Sequence, residues 1–392
     1  LPIDNHSFME QIFLIRFNEI FLKSDGVARN FLKILKQNIY YQLKQNSIDG
    51  SIQITNSRIF LSNFNKKDIS KIENILKNIF GIDSFSLVFK LNTIDQQKIF
   101  DFVKQNYSEY ILPSDTFKIK AKCINVPYHT KDIEIKIADI FEGKVDLSNP
   151  QKIIYIEVRN KVTFVFTEII FGLSGLPVGT AGKNLVLISG GIDSPVASFL
   201  TLKRGCHNLF LHFHSFPYVS NTSINKVKEI LKIMKKYQND IKLILFPFAE
   251  IQNYIKANSD PKYRIVLYRR SMMRLSSLIA KDFKCKAITT GESLSQVSSQ
   301  TLDNMSVINN ALDILVLRPL ISFNKNEIIN LAKQIHTIDI SNEHQEDTCT
   351  LFTPKHPNAQ TDLETIKKIE ENINILEKEK EALTRLEYCD TF

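Results

Sequence analysis

The string Leu185-Val-Leu-Ile-Ser-Gly-Gly-Ile-Asp-Ser-Pro-Val-Ala197 constrains this chain more than any other feature. An apolar strand runs directly into a turn of glycine and serine. An apolar helix follows near Pro195, a position where the N–H would be unpaired anyway. Gly190 and Gly191 let backbone N–H groups approach an anion without interference from a Cβ, and Ser189 and Ser194 add hydroxyl donors. The helix N-terminus supplies partial positive charge. Asp193 would repel a phosphate, so its expected role is to hold a metal that bridges it to phosphates. The spacing is not that of a Walker A loop, because no Gly-Lys-Ser/Thr follows.

Around this string the pattern alternates. Leu185–Ile188, Asn208–Phe213, Lys242–Phe246 and Ala287–Thr290 read as apolar strands with helices between them, the signature of a doubly wound parallel sheet over 184–392. Before it, Gly172–Lys183 is rich in Gly and Pro and reads as a linker. Upstream the order strand–helix–strand–strand–helix appears, then restarts near Gly81, which predicts two small α+β domains, 1–68 and 69–171. The hairpin Lys152–Glu168 turns at Arg159-Asn160, and the charged stretch Leu363–Leu386 reads as a helix with a solvated face. The chain is therefore expected to be multi-domain, with two α+β domains ahead of an α/β doubly wound domain.

With 392 residues and 43% hydrophobic content, several buried cores are attainable. No run of about 18 apolar residues is present, so no membrane helix is expected. Five scattered cysteines without a C-x-x-C pair point to a reducing, cytoplasmic setting in which a special Cys is catalytic rather than structural. The net charge of +8 suits a polyanionic partner. The chain opens on Leu1 and Met9 follows shortly, so the start is expected upstream or at Met9.

Other segments converge on the end of the sheet where open α/β folds bind ligands. Leu211–Pro217 brings aromatic and His residues that would flank a base or simply pack. Arg270 and Arg274 share a helix face at i,i+4, either as two guanidinium forks for phosphate or as a salt-bridged surface helix. Thr289–Thr301 is dense in hydroxyl and amide groups, and Leu317–Ile321 with Lys325 adds cations.

Five strings occur in order: Gly175–Thr180, Ser189–Ala197, Thr290–Gln300, Leu317–Ile321 and Pro354–Pro357. Together with Ile15–Lys23 and Phe80–Ile82 they resemble the tRNA 4-thiouridine synthetase family over essentially the whole chain. The resemblance implies ferredoxin-like and THUMP domains that bind tRNA, and a PP-loop domain that binds Mg-ATP and adenylates O4 of a uridine, at position 8 in the family. It places Leu187, Ile188, Phe213, His214, Arg270, Gly291 and Gln300 on ATP, beside Ser189, Gly190, Gly191 and Ser194. Asp193 would organise Mg2+ and phosphates, and Lys325 would stabilise developing phosphate charge. Cys349, in Asp347-Thr-Cys-Thr350, matches the family's sulfur-carrying position; the plain alternative is a buried, inert thiol.

Many members carry a C-terminal rhodanese domain. This chain stops at Phe392 without one, so persulfide sulfur is expected from a separate donor protein, a cysteine desulfurase. The family also suggests a homodimer and a second role in thiamin thiazole synthesis. For the RNA, the candidates are Arg16, Lys23 and Arg29 in the first domain and Lys118, Lys120 and Lys122 on one strand face in the second. Cys123, Ile124 and Asn125 stand where further basic residues would be expected, so the tRNA contacts need not follow the family's pattern. The rival readings are another PP-loop adenylating ligase acting on RNA, a non-catalytic RNA-binding protein, and a THUMP-containing methyltransferase. Intact Ser189, Gly190, Gly191, Asp193, Ser194 and Lys325 speak against the second, and the missing glycine-rich cofactor motif against the third.

Overall fold

The computed structural model describes residues 9–55, 58–218, 220–343 and 358–389. Residues up to Ser174 form one compact unit and those from Gly175 another. The expected classes are found: mixed α+β in the first unit, a largely parallel sheet wrapped by helices in the second.

The first unit runs β1 (Met9–Arg16), α1 (Asp25–Gln45), β2 (Ser51–Thr55), β3 (Arg58–Ser62), α2 (Ile69–Lys77) and β4 (Ser84–Leu91). It continues through α3 (Gln96–Tyr107), β5 (Thr116–Ile124), α4 (Thr130–Ala138), β6 (Lys144–Val145), β7 (Lys152–Arg159), β8 (Val162–Phe166) and β9 (Ile170–Phe171). The sequence expects two α+β domains, and two helix-covered cores are found among the described residues, one under α1 and α2 and one under α3 and α4. Their strands nevertheless join into one sheet of order β2-β3-β1-β4-β8-β7-β5-β6, with β9 beside β4. β4 makes the join, because it pairs along its length with β1 and through Phe89–Leu91 with β8. The expected division at 68/69 is corrected here. It falls at the cap of α2, whose Ile72, Ile75 and Leu76 are buried with Phe13, Leu35 and Phe85 in the first core. At the β7–β8 turn Asn160 takes φ 50°, a left-handed conformation that Asn tolerates.

The presumed linker is not loose. Gly172 N and Ser174 N donate to Asp83 O and Ile82 O, both at 2.9 Å, within the first unit. Leu176 N donates to Lys203 O at 3.0 Å, and Gly179 N and Ala181 N to Gly205 O at 2.9 Å, within the second.

The second unit contains β10 (Lys183–Leu187), α5 (Asp193–Lys203), β11 (His207–His214), α6 (Thr222–Met234), β12 (Leu243–Pro247), α7 (Ala249–Asn258), α8 (Arg264–Asp282) and β13 (Ala287–Thr289). Then come α9 (Leu302–Asn309), β14 (Leu315–Leu317), α10 (Lys325–Gln334) and α11 (Ile338–Asn342). The sheet order is β14-β13-β10-β11-β12-β15, where β15 is Glu387–Cys389, antiparallel to β12. From β10 the chain winds outward through β11 and β12, then returns to the other side of β10 to lay down β13 and β14. The reversal opens a crevice between the carboxyl ends of β10 and β13, the switch point at which such sheets bind ligands. Strand residues Leu185, Leu211, Ile244, Phe246 and Ile288 are buried in one core with α7, α8 and the last helices.

The C-terminal stretch departs from expectation. It breaks into two helices, Leu363–Asn372 and Ile375–Ala382, at Asn374, whose φ is 50°. Its supposedly solvated face hides two carboxylates, Glu370 and Glu379, both buried.

Candidate active site at the switch point

The loop Ser189–Ile192 leaves β10 at the crevice and enters α5, which begins at Asp193, two residues before Pro195. The two serines brace this loop: Ser189 N donates to Ser194 Oγ at 2.9 Å, the hydroxyls lie 3.1 Å apart, and Gly191 N reaches Ser189 Oγ at 3.3 Å. Ser194 is buried, whereas Ser189 and Gly191 are exposed at the mouth of the crevice. Leu187 is half-buried and Ile188 is buried beneath them.

Gly291 lies across the crevice, just beyond β13. A Cβ on it would stand 2.9 Å from Ser194 N and 3.0 Å from the Asp193 carbonyl carbon, so the two loops touch backbone to backbone. Asp193 projects at the N-terminus of α5 and ties three loops together: Lys325 Nζ lies 2.6 Å from its Oδ1 and Gln296 Nε2 donates to its Oδ2 at 3.2 Å. Lys325 opens α10, where a cation opposes the helix dipole at a cost of about 0.3–1 kcal/mol. Its position is therefore explained by Asp193 and by the crevice, not by helix stability. The helix is secured separately by the capping box of Asn324 and Glu327.

The base-flanking candidates lie at the end of β11. Phe213 packs edge-on to Phe248, and its ring is 5.2 Å from that of Phe246. His214 is buried and neither of its ring nitrogens has a hydrogen-bond partner among the described residues. Burial lowers its pKa, against the pull of the Glu387 carboxylate. Gln300 is buried too, with Oε1 unsatisfied among the described residues. Each such group costs about 1–3 kcal/mol until something polar meets it. His212, unlike His214, is occupied: Nδ1 is 2.9 Å from Ile188 O, and burial pushes its pKa down to about 4.

Arg270 is a correction. Its guanidinium is 4% exposed and fully engaged, with Nε and Nη2 on the two oxygens of Glu370 at 2.9 and 2.8 Å and Nη1 on Val307 O. Arg274 on the same face binds Glu370 and Glu379. The i,i+4 spacing places both on one face, as expected, but that face turns inward against the last two helices. About 100° around α8, Arg269 points elsewhere: it is 39% exposed and approaches Glu292 Oε1 at 3.9 Å. Glu292 is buried, accepts from Thr290 Oγ1 and from Arg318 Nε, both at 2.8 Å, and so gathers two guanidiniums beside Gly291. Sequence reasoning missed Arg269, Glu292 and Gln296. The last two lie within the hydroxyl-rich string, where composition does not single them out.

The segment carrying Cys349 and Pro354–Pro357 lies outside the described residues. Its flanks are anchored. Buried Lys226 donates to Ser341 O and Glu343 O at 3.0 and 2.9 Å, and Ser341 Oγ reaches Gly191 O at 3.3 Å. After the segment, Asn304 Nδ2 donates to Asn358 O and Thr301 Oγ1 to Ala359 O. No group of three or more potential metal ligands occurs among the described residues, and no described helix is long and apolar enough to cross a membrane.

Comparison with known proteins decides the family. The model of thiamine biosynthesis protein ThiI matches residues 179–375, that of the ThiI ferredoxin-like domain 12–86, and that of the THUMP domain 95–168. The chain belongs to the ThiI family. A "Probable tRNA sulfurtransferase" of Metamycoplasma arthritidis is 37% identical and covers 97% of this chain and 96% of its own length. One of Methanocaldococcus jannaschii is 34% identical over 93% of this chain and 97% of its own. Among solved structures, a 4-thiouridine synthetase–RNA complex with bound ATP superposes with a TM-score of 0.88 at 30% identity, covering 98% of this chain and 100% of that one.

On the ThiI ferredoxin-like and THUMP parts the basic candidates fare differently. Lys23 and Arg29 are exposed around the start of α1. On β5, Lys118 is tied by Nζ to Leu147 O at 2.8 Å, Lys120 lies over the Tyr155 ring, and Lys122 is exposed. Arg16 is a second correction: its guanidinium is withdrawn from solvent, donating to Ser86 Oγ at 3.0 Å and sitting over Phe166.

Proposed function

We propose that this chain uses ATP to adenylate O4 of a tRNA uridine, at position 8 by family resemblance, and then replaces that oxygen with sulfur to give 4-thiouridine, releasing AMP and pyrophosphate. The observation that carries the reading is the pairing of Asp193 with Lys325 at the mouth of a glycine-rich loop, at the switch point of a parallel sheet. Family membership and the activities named for the relatives support it.

In this reading the N–H groups of Gly190 and Ile192 and the α5 terminus receive the phosphates of ATP, with Ser189 N–H and Gly191 N–H holding the loop in shape. His214 and Gln300 offer unsatisfied buried polar atoms to the nucleotide. Lys325 and Arg269 neutralise charge as pyrophosphate departs. Mg2+ fits as an ion carried largely by the phosphates, the habit of that ion: among the described residues the mouth of the crevice offers the Asp193 carboxylate, while Glu292 is taken up by Arg318 and Thr290. When bound it would offset phosphate charge. Adenylation turns a poor leaving oxygen into a good one, and the terminal sulfur of a persulfide on Cys349 then attacks C4 as AMP leaves. An external thiol then attacks Cys349 Sγ, the S–S bond breaks with 4-thiouridine as the leaving thiolate, and a second thiol reduces the mixed disulfide left on Cys349. The sequence match at Asp347–Thr350 supports that role for Cys349.

Further parts of the proposal are a cysteine desulfurase as sulfur donor, a homodimer, a cytoplasmic setting, and a second role in supplying sulfur for thiamin thiazole synthesis, for which the family name speaks. The ferredoxin-like and THUMP parts would bind the tRNA, through Lys23, Arg29, Lys120 and Lys122 among others.

The test is incubation of purified protein with Mg-ATP, a cysteine desulfurase, cysteine and unmodified tRNA transcript, followed by nucleoside mass spectrometry. Thiouridine made by the wild type and lost in Asp193→Ala and Cys349→Ala is the expected result. AMP and pyrophosphate without thiouridine would retain the adenylation and overturn the sulfur step.

A further inference from the structure

Glu157 on β7 meets three guanidiniums at once. Arg159 Nη2 lies 3.2 Å from it, Arg58 Nη2 3.5 Å and Arg16 Nη2 3.8 Å. Arg58 sits on β3, and three strands, β1, β4 and β8, lie between β3 and β7 in the sheet. At about 4.8 Å per strand a flat sheet would hold these two backbones roughly 19 Å apart, beyond the reach of the two side chains. The sheet must therefore curl, with this face concave. The stacking of Phe60 of β3 on Phe164 of β8, centroids 5.5 Å apart, requires the same curl. Ile12, Leu14, Val88, Phe164 and Phe166 form the dry floor inside it.

The curl encloses a cleft of about 580 Å³ lined by Arg58, Lys90, Arg159 and Lys161 against the carboxylates Glu10 and Glu157. Arg16 lies beneath as a further cation, and its Nη2 is buried with no hydrogen-bond partner among the described residues. Burial lowers the pKa of Arg16 and Arg58, with Glu157 pulling the other way, although a guanidinium keeps its proton. Glu157 Oε2 accepts from Arg159 Nε at 3.2 Å and from Arg58 Nη2 at 3.5 Å, while Arg16 Nη2 at 3.8 Å stays outside hydrogen-bond range, and all of these distances exceed the 2.7–2.9 Å of a well-made charge-assisted bond. The cluster is built for more negative charge than the chain itself supplies.

We propose that this cleft is a phosphate site for the RNA backbone, in which Arg58 and Arg159 receive a phosphodiester and Glu157 is the resident counter-ion that tempers its affinity. The proposal rests on the reading that this chain binds tRNA. A phosphodiester bears one negative charge and two unbridged oxygens, and the planar forks of Arg suit that geometry. The cleft lies where the strands of the ferredoxin-like and THUMP parts share one sheet, so a strand of RNA crossing it would be gripped by both.

The experiment is binding of labelled tRNA transcript to the full chain by fluorescence anisotropy over a range of salt. Arg58→Gln and Arg159→Gln should each weaken binding by roughly three- to tenfold at low salt and lower the slope of log Kd against log salt by about one. Glu157→Gln should tighten binding, by roughly threefold or more, and steepen the slope. A role confined to folding would not yield tighter binding. Should Glu157→Gln prove unstable in thermal unfolding, Lys161→Ala at the rim supplies the reading, with the slope expected to fall by about one. Inorganic phosphate should compete no better than chloride at equal ionic strength. Its specific displacement of RNA would assign the cleft to a small anion and overturn the proposal, as would unchanged Kd and slope in both arginine variants. Failure of the wild type to bind tRNA at any salt would instead overturn the tRNA reading.

Discussion

Lys325 Nζ stands 2.6 Å from Asp193 Oδ1, although 132 positions separate the two residues in the chain. The pair joins the start of α10 to the start of α5 and brings a cation and an anion to one edge of the glycine-rich loop.

The pair is partly exposed, at 43% and 24%, so its loss should cost function far more than stability. Lys325→Met and Asp193→Asn are each expected to lower AMP formation by roughly 10²–10³-fold, as for other groups that meet developing charge. The double variant should lose little more than the worse single one, because the two act as a unit. Steady-state AMP release and thermal unfolding, measured on all three variants, check this.

Adjacent arginines on α8 should behave oppositely. Arg270→Ala would leave Glu370 buried with half its partners and is expected to destabilise the fold by about 3–5 kcal/mol in urea denaturation. Arg269→Ala should leave the denaturation midpoint nearly unchanged while lowering kcat and kcat/KM for ATP together. Comparable destabilisation by both would refute the division between an inward and an outward guanidinium.

Gly291→Ala should impair nucleotide binding without removing any polar group. Its Cβ would press on Ser194 N and the Asp193 carbonyl carbon, both backbone atoms that cannot swing aside. The expected cost is about 1–3 kcal/mol of strain, appearing as lower stability and weaker ATP binding in calorimetry. Wild-type affinity in this variant would mean that the two loops can separate freely.

Two groups give stability a pH dependence in different windows. Burial alone would raise the pKa of Glu370, but hydrogen bonds from Arg270 and the charge of Arg274 outweigh it and hold the carboxyl below its ordinary 4.5. Its contribution is thus complete above that value and lost as pH falls through the lowered pKa. Burial holds His212 near 4 instead of 6.5, so the unfolded chain takes up a proton first. Stability from His212 is complete above about pH 6.5 and declines toward pH 4, by about 3 kcal/mol in all. Urea midpoints measured from pH 7 to pH 4 should fall more gently for His212→Asn than for the wild type.

The sequence by itself determined the elements that local chemistry specifies. The run Leu185–Ile188 into Ser-Gly-Gly defines a strand, a turn and a helix start, because apolar periodicity and glycine leave few other conformations. The order of such units defines a parallel sheet and hence a crevice at its switch point. Family strings added which loops face that crevice.

Only the tertiary structure decided how side chains were directed and what neutralised them. Helical spacing placed Arg270 with Arg274, but whether that face met solvent or Glu370 depended on helices about 100 residues further on. The C-terminal charges looked solvated for the same reason: a carboxylate buried against two guanidiniums has the same letter in the sequence as one in water. Arg16 reads as a surface cation until a curled sheet brings Glu157 to it from the far side. Periodicity reports which residues share a face. Burial and ion pairing depend on contacts between segments distant in the chain, and no local pattern encodes them.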